Sequence, residues 1–101
     1  MTSFAAVLDR GCGRCLFRNE CLQAHLVALK PADGLVAGRL AGAVTLLVAF
    51  GEAEACVAGR VCRLREGERL SIEPECGFEL RTEAETDLLV ILDRESALAA
   101  D

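Results

Sequence analysis

The chain predicts an all-β domain, an antiparallel sandwich or barrel, on three observations. Turn-forming residues recur at short, regular intervals: Pro31-Ala-Asp-Gly34, Gly51, Gly59, Glu66-Gly67, the stretch 74–77 and the stretch 83–86. The segments between them have strand length, and several alternate apolar with polar residues. The longest apolar run, 43–50, is also strand-sized and far too short for a membrane-spanning helix.

The N-terminus is the exception to the strand pattern. Thr2 or Ser3 is placed to cap a short helix that carries Phe4, Val7 and Leu8 on one side and ends at Gly11. The cysteine-rich stretch 12–25 then reads as a loop or a turn of helix. Strands are expected over 25–30, 43–50, 52–58, 60–64, 69–73, 78–82 and 87–93. Alternation is clearest late: Leu70 and Ile72 oppose Arg69, Ser71 and Glu73, and Phe78 and Leu80 oppose Glu79 and Arg81. The run Leu88-Leu-Val-Ile-Leu92 lacks polar alternation and predicts a strand covered on both faces. The chain thus divides into a Cys-rich extension (1–25), a β-barrel (26–93) and an Ala-rich tail (94–101).

A chain of 101 residues makes one domain with one modest core. Apolar residues are 52% of it, with four Phe and no Trp or Tyr, so Leu, Val and Ala must build the interior. That is much apolar surface for a small globule, and a homodimer is expected to bury part of it. The net charge of −5 argues against nucleic acid as a partner, because phosphate binding needs a basic face. Arg10, Arg14, Arg18 and Lys30 instead gather near the thiols, where positive charge stabilises thiolate. The first residues show neither a basic region nor a long apolar core of a signal peptide. The expectation is a cytoplasmic protein without membrane attachment, whose six Cys stay reduced.

The order of segments over 26–93 resembles the small cupins, single-domain double-stranded β-helices of the jelly-roll type. The resemblance rests on the 51–55 strand, the Gly59 hairpin, Leu64-Arg-Glu-Gly67-Glu-Arg-Leu-Ser-Ile72, a turn, Phe78-Glu-Leu80, an acidic loop and Asp87-Leu-Leu-Val-Ile91. It implies a cupin-like barrel carrying a short helical, Cys-rich extension. The metal site that cupins commonly carry does not come with it. The stretch matching the early ligand strands, 35–40, has no His or Glu, and Phe78 stands where a late His is usual, as a core residue. The metal-assisted oxidation or isomerisation typical of the family is therefore in doubt.

The chemistry of the chain concentrates in residues 12–25. Cys12, Cys15, Cys21 and His25, the only histidine, form C-x2-C-x5-C-x3-H. Thiolate and neutral imidazole are ligands for zinc or for an iron–sulfur cluster. Cys12-x-x-Cys15, Arg18 and Cys21-Leu22 are similar to the cluster segment of FNR-type oxygen-sensing regulators, which take a fourth Cys from a distant sensor domain. That similarity spans about a dozen residues. The chain is too short and too acidic for the regulators' DNA-binding part. A local Cys3His zinc site needs no other ligand, and burial of the thiols as small hydrophobes needs no metal. Among the later thiols, Cys56 falls on the acidic outer face, Cys62 shares a face with Leu64 and reads as core, and Cys76 lies in an accessible turn. Cys76 is the first choice for a ligand drawn from the barrel. The expectation is a small non-enzymatic metal-binding protein, a redox or metal sensor, held by Cys12, Cys15, Cys21 and His25 or Cys76. The alternative is a divergent cupin enzyme or ligand-binding barrel. No Ser/His/Asp constellation, enclosed carboxylate pair or Gly-rich phosphate loop appears.

Overall fold

In the computed structural model, period-two alternation becomes two five-stranded sheets that share one interior. The structure describes residues 2–10, 14–19 and 21–93, with the backbone alone described at 9, 10, 14 and 15. The first sheet holds β1 (Thr2–Ser3), β4 (Val36–Gly38), β9 (Phe78–Arg81), β6 (Glu52–Val57) and β7 (Arg60–Arg65), in that spatial order. The second holds β2 (Arg14–Arg18), β3 (Leu22–Leu29), β10 (Thr86–Asp93), β5 (Val44–Phe50) and β8 (Arg69–Ile72). Every pairing is antiparallel except that of β1 with β4.

Each sheet turns one set of side chains inward. Val27, Leu29, Leu46, Val48, Leu88 and Val90 meet Val36, Ala53, Ala55, Leu64, Phe78 and Leu80, all buried. Ala58 and Gly59, both with positive φ (51° and 80°), join β6 to β7 in a two-residue turn suited to the twist of a hairpin.

Two expectations change. The run 88–92 is covered on one face only. Leu88, Val90 and Leu92 are buried, whereas Leu89 and Ile91 remain part-exposed on the outer side. An apolar sequence without alternation hides a structural alternation, because the opposing sheet can enclose only one face. Residues 14–18 and 22–25 are strands of a β-hairpin rather than a loop or helical turn: β2 pairs with β3 through a register shift between Cys15 and Phe17, while residues 12, 13 and 20 lie outside the described residues. Asn19 makes its turn, its Oδ1 accepting the backbone N–H groups of Cys21 and Leu22 at 2.7 Å each. The tail 94–101 lies outside the described residues.

Candidate functional site

The centre of the barrel is closed by the N-terminus. Ser3 Oγ accepts the Ala6 N–H at 3.1 Å and so caps α1 (Phe4–Arg10), as the sequence predicts. The helix packs against β3 and β4 and drives Phe4 and Val7 into the interior, where they are 1% and 0% exposed. The Phe4 and Phe78 rings meet edge to face with centroids 5.0 Å apart. Gly38 makes that arrangement possible. A Cβ there would stand 2.5 Å from Phe78 Cζ and 2.7 Å from Phe4 Cβ. Thr86 is the one buried polar residue among those described. The interior therefore holds hydrocarbon where barrels of this kind commonly hold ligands, and its residues do not fit a metal with an open coordination position.

The hairpin offers a different chemistry. Cys15 and His25 are register partners across β2 and β3. Such partners have Cα atoms about 4.5–5.5 Å apart. His25 alternates with Val27 and Leu29 on the inner side of β3, half-buried. Its Nε2 lies 3.0 Å from Gln23 Oε1. An amide oxygen only accepts, so Nε2 carries the proton and Nδ1 offers a lone pair. Nδ1 is buried and has no hydrogen-bond partner among the described residues. Burial, and to a lesser degree the Arg18 guanidinium, hold the imidazole below its ordinary pKa. A neutral ring with one nitrogen anchored and the other free is the form that ligates a metal. A buried acceptor left unpaired costs about 1–3 kcal/mol, so its retention calls for a reason.

The hairpin also separates residues that the spacing had joined. Cys21 sits exposed at the turn, four residues before His25 in nearly extended chain. At about 3.3 Å per residue the two are about 13 Å apart. A zinc shell of about 2.0–2.3 Å bonds does not span that gap. Cys12 lies outside the described residues. Cys76 is half-buried against the core rather than open at the barrel mouth. Its turn is tied down, with Glu75 N–H donating to Leu40 O at 2.7 Å and Arg39 Nε donating to Glu75 O at 2.9 Å. Cys56 lies on the outer side of β6, as alternation requires. Cys62, read as core, is exposed: it pairs with Ala55 on the edge strand β7, beyond the cover of the other sheet. Among the described residues no group of three His, Cys, Asp or Glu side chains is arranged to hold a metal.

Sequence reading missed a groove of about 600 Å³ on the outer side of the first sheet. Glu52, Glu54, Arg63, Arg65 and Arg81 line it, with Phe50 at its border. Arg63 binds Glu52 at 2.8 Å and Glu54 at 3.7 Å, and Arg81 binds Glu54 at 3.5 Å. Alternation along β6 alone places Glu52 and Glu54 on its outer side without partners named. Pairing of residues around the Ala58-Gly59 turn, which sets 54 opposite 63, was the signal that brings arginines to them. Exposed pairs of this kind contribute about 0–1 kcal/mol each.

No protein-family model matches the chain, and no curated protein matches it. Solved structures do. A cupin-2 domain-containing protein of Shewanella frigidimarina aligns with a TM-score of 0.70 at 19% identity, over 80% of this chain and 78% of that one. A cupin superfamily protein of Desulfitobacterium hafniense gives a TM-score of 0.70 at 16% identity, over 78% and 72%. The cupin domain of Schizosaccharomyces pombe Cnp3 gives 0.71 at 12% identity, over 78% and 61%. The two sheets are thus a cupin β-sandwich, the jelly roll that the segment order implied. At these identities the likeness concerns the fold alone.

Proposed function

We propose that this chain is a non-enzymatic cupin-fold protein that binds one zinc ion at the β2–β3 hairpin. The observation that carries the reading is His25: a neutral imidazole, braced by Gln23 through Nε2, with a buried and unpaired Nδ1 beside the register position of Cys15. Cys15 supplies thiolate, and Cys12, three positions before it in C-x2-C spacing, supplies a second. The fourth ligand is Cys76, which requires its turn to shift, because Cys21 stands about 13 Å along the strand from His25. Bound zinc would cross-link β2 to β3 and so report on thiol state in a reducing cytoplasm. A ligand-binding or catalytic barrel is the competing class, and Phe4 and Phe78 occupy the interior it would need.

A second reading, an iron–sulfur centre, rests on C-x2-C-x5-C with Arg18 between the thiols and Leu22 after them. Elemental analysis with a visible spectrum, on untagged protein purified without oxygen, separates the two. About one zinc per chain and no colour supports the first reading. Iron with sulfide and a broad visible band supports the second. Protein that carries no metal and takes up neither overturns both.

A further inference from the structure

The first sheet ends on an open strand. β7 is bonded to β6 on one side and has no strand on the other among the described residues. Val57 and Arg60 flank the two-residue turn, so they form a hydrogen-bonded pair, and bonding alternates from there along the strand. Arg60, Cys62 and Leu64 turn their backbone groups to β6. Val61, Arg63 and Arg65 turn theirs to the free edge. The fold closes that edge at one end: Arg65 N–H donates to Glu68 Oε1 at 2.8 Å, and Arg65 O accepts the Glu68 N–H at 2.9 Å. Val61 and Arg63 keep N–H and C=O groups that meet no described residue.

The same edge is basic in an acidic chain. The net charge is −5, yet residues 60–69 carry Arg60, Arg63, Arg65 and Arg69 against Glu66 and Glu68. Arg63 is held by Glu52 and Glu54. Arg60, Arg65 and Arg69 make no ion pair among the described residues. Val61, 67% exposed, is the most exposed of the large apolar side chains described. Charge on an edge strand guards it against wrong partners. Here it guards against a second copy, because pairing β7 with β7 would bring arginines of both copies together. A strand of opposite charge is drawn in by the same arginines.

We propose that β7 docks an extended, acidic segment of a partner protein as an added strand of the first sheet. Main-chain bonds to Val61 and Arg63 supply affinity, and alternate side chains supply selectivity. Residues of the segment opposite Val61 and Arg63 project to the same outer side as they do. The pattern read is therefore an apolar residue, any residue, then an acid. The apolar side chain covers Val61, and the carboxylate lies opposite Arg63 and diagonal to the uncommitted Arg65. The proposal stands apart from the zinc reading and uses none of its ligands.

Fluorescence anisotropy tests it, with a labelled, end-capped peptide of alternating Glu and Val added to the full chain with reduced thiols. Wild type is expected to bind this peptide in the micromolar range and to ignore a Lys-Val peptide of the same length. Val61→Pro removes an N–H that faces away from β6, which an edge position tolerates, and should weaken binding at least about tenfold. Arg65→Glu keeps the backbone bonds to Glu68 and should weaken binding as much at low salt, with the difference shrinking as salt rises. Both variants should keep the circular dichroism of the sandwich. In wild type the peptide should slow amide exchange at Val61 and Arg63. No binding, protection elsewhere than on β7, or variants that bind as tightly as wild type would overturn the proposal. A proline-interrupted peptide of equal charge that binds equally well would also overturn it, since that attraction needs no strand.

Discussion

Phe4→Ala tests whether the N-terminal helix is part of the core. The ring is 1% exposed, touches Phe78 edge to face and lies over Gly38. Removing it deletes a buried aromatic side chain and leaves a cavity between the sheets, at a cost of about 3–5 kcal/mol. A domain of this size has about 5–15 kcal/mol in total, so a large share of its stability is at stake. At roughly 4–8 °C per kcal/mol, the melting temperature should fall by about 12 °C or more. Urea unfolding followed by circular dichroism gives the free energy directly. A double-mutant cycle with Phe4→Leu and Phe78→Leu should show a coupling of about 0.5–1.5 kcal/mol from the ring pair. A loss below about 1 kcal/mol for Phe4→Ala would mean that the helix is not seated between β3 and β4 in solution.

Gly38→Ala should destabilise by about 1–3 kcal/mol, because its Cβ meets both rings; thermal melts should show Phe78→Leu relieving part of the loss. Asn19→Ala removes the acceptor of two backbone N–H groups and should cost about 1 kcal/mol. Amide hydrogen exchange should then rise within 14–29 before it rises in β5 or β6. In metal-free protein His25 adds a pH dependence of known sign. Its native pKa lies below the ordinary 6.5, so the unfolded chain takes up the proton first as pH falls. Stability should be full above about pH 6.5, fall as pH drops from there toward the native pKa, and gain no further penalty from this group below it. Urea midpoints between neutral and mildly acidic pH should therefore converge for His25→Gln and diverge for wild type. Identical slopes would refute the role assigned to burial.

The strands from residue 25 to 93 were legible because glycine and proline punctuate them and period two marks their faces. The short strands were not. Residues 2–3 and 36–38 are extended because they pair with each other and with β9, a tertiary circumstance without a local pattern. Arg14–Arg18 escaped for a related reason. It is an edge strand with a register shift, and Leu16 and Phe17 are both exposed, so no alternation betrays it. The capped helix was readable from Ser3 and the Phe4–Val7 spacing, but an apolar helix face does not say which cavity it fills. Reading Cys12, Cys15, Cys21 and His25 as one cluster treated sequence spacing as distance. An extended strand stretches the Cys21–His25 interval that a loop would have closed, while pairing brings Cys15 to His25 from ten residues away. The unpaired Nδ1 depends on Gln23 and on burial, neither of which the spacing encodes.

The measurement that bears most directly on the hairpin site is a cobalt(II) titration of reduced, metal-free protein, followed by visible absorption. Wild type should take up about one equivalent and develop the charge-transfer and d–d bands of thiolate-bound, four-coordinate cobalt. Zinc should displace it. Cys15→Ser should lose the thiolate band intensity and His25→Ala should bind at least about tenfold more weakly, while both keep the circular dichroism of the folded sandwich. A wild-type protein whose spectrum does not change on adding cobalt, or variants that bind as it does, would contradict the assignment of Cys15 and His25 as metal ligands.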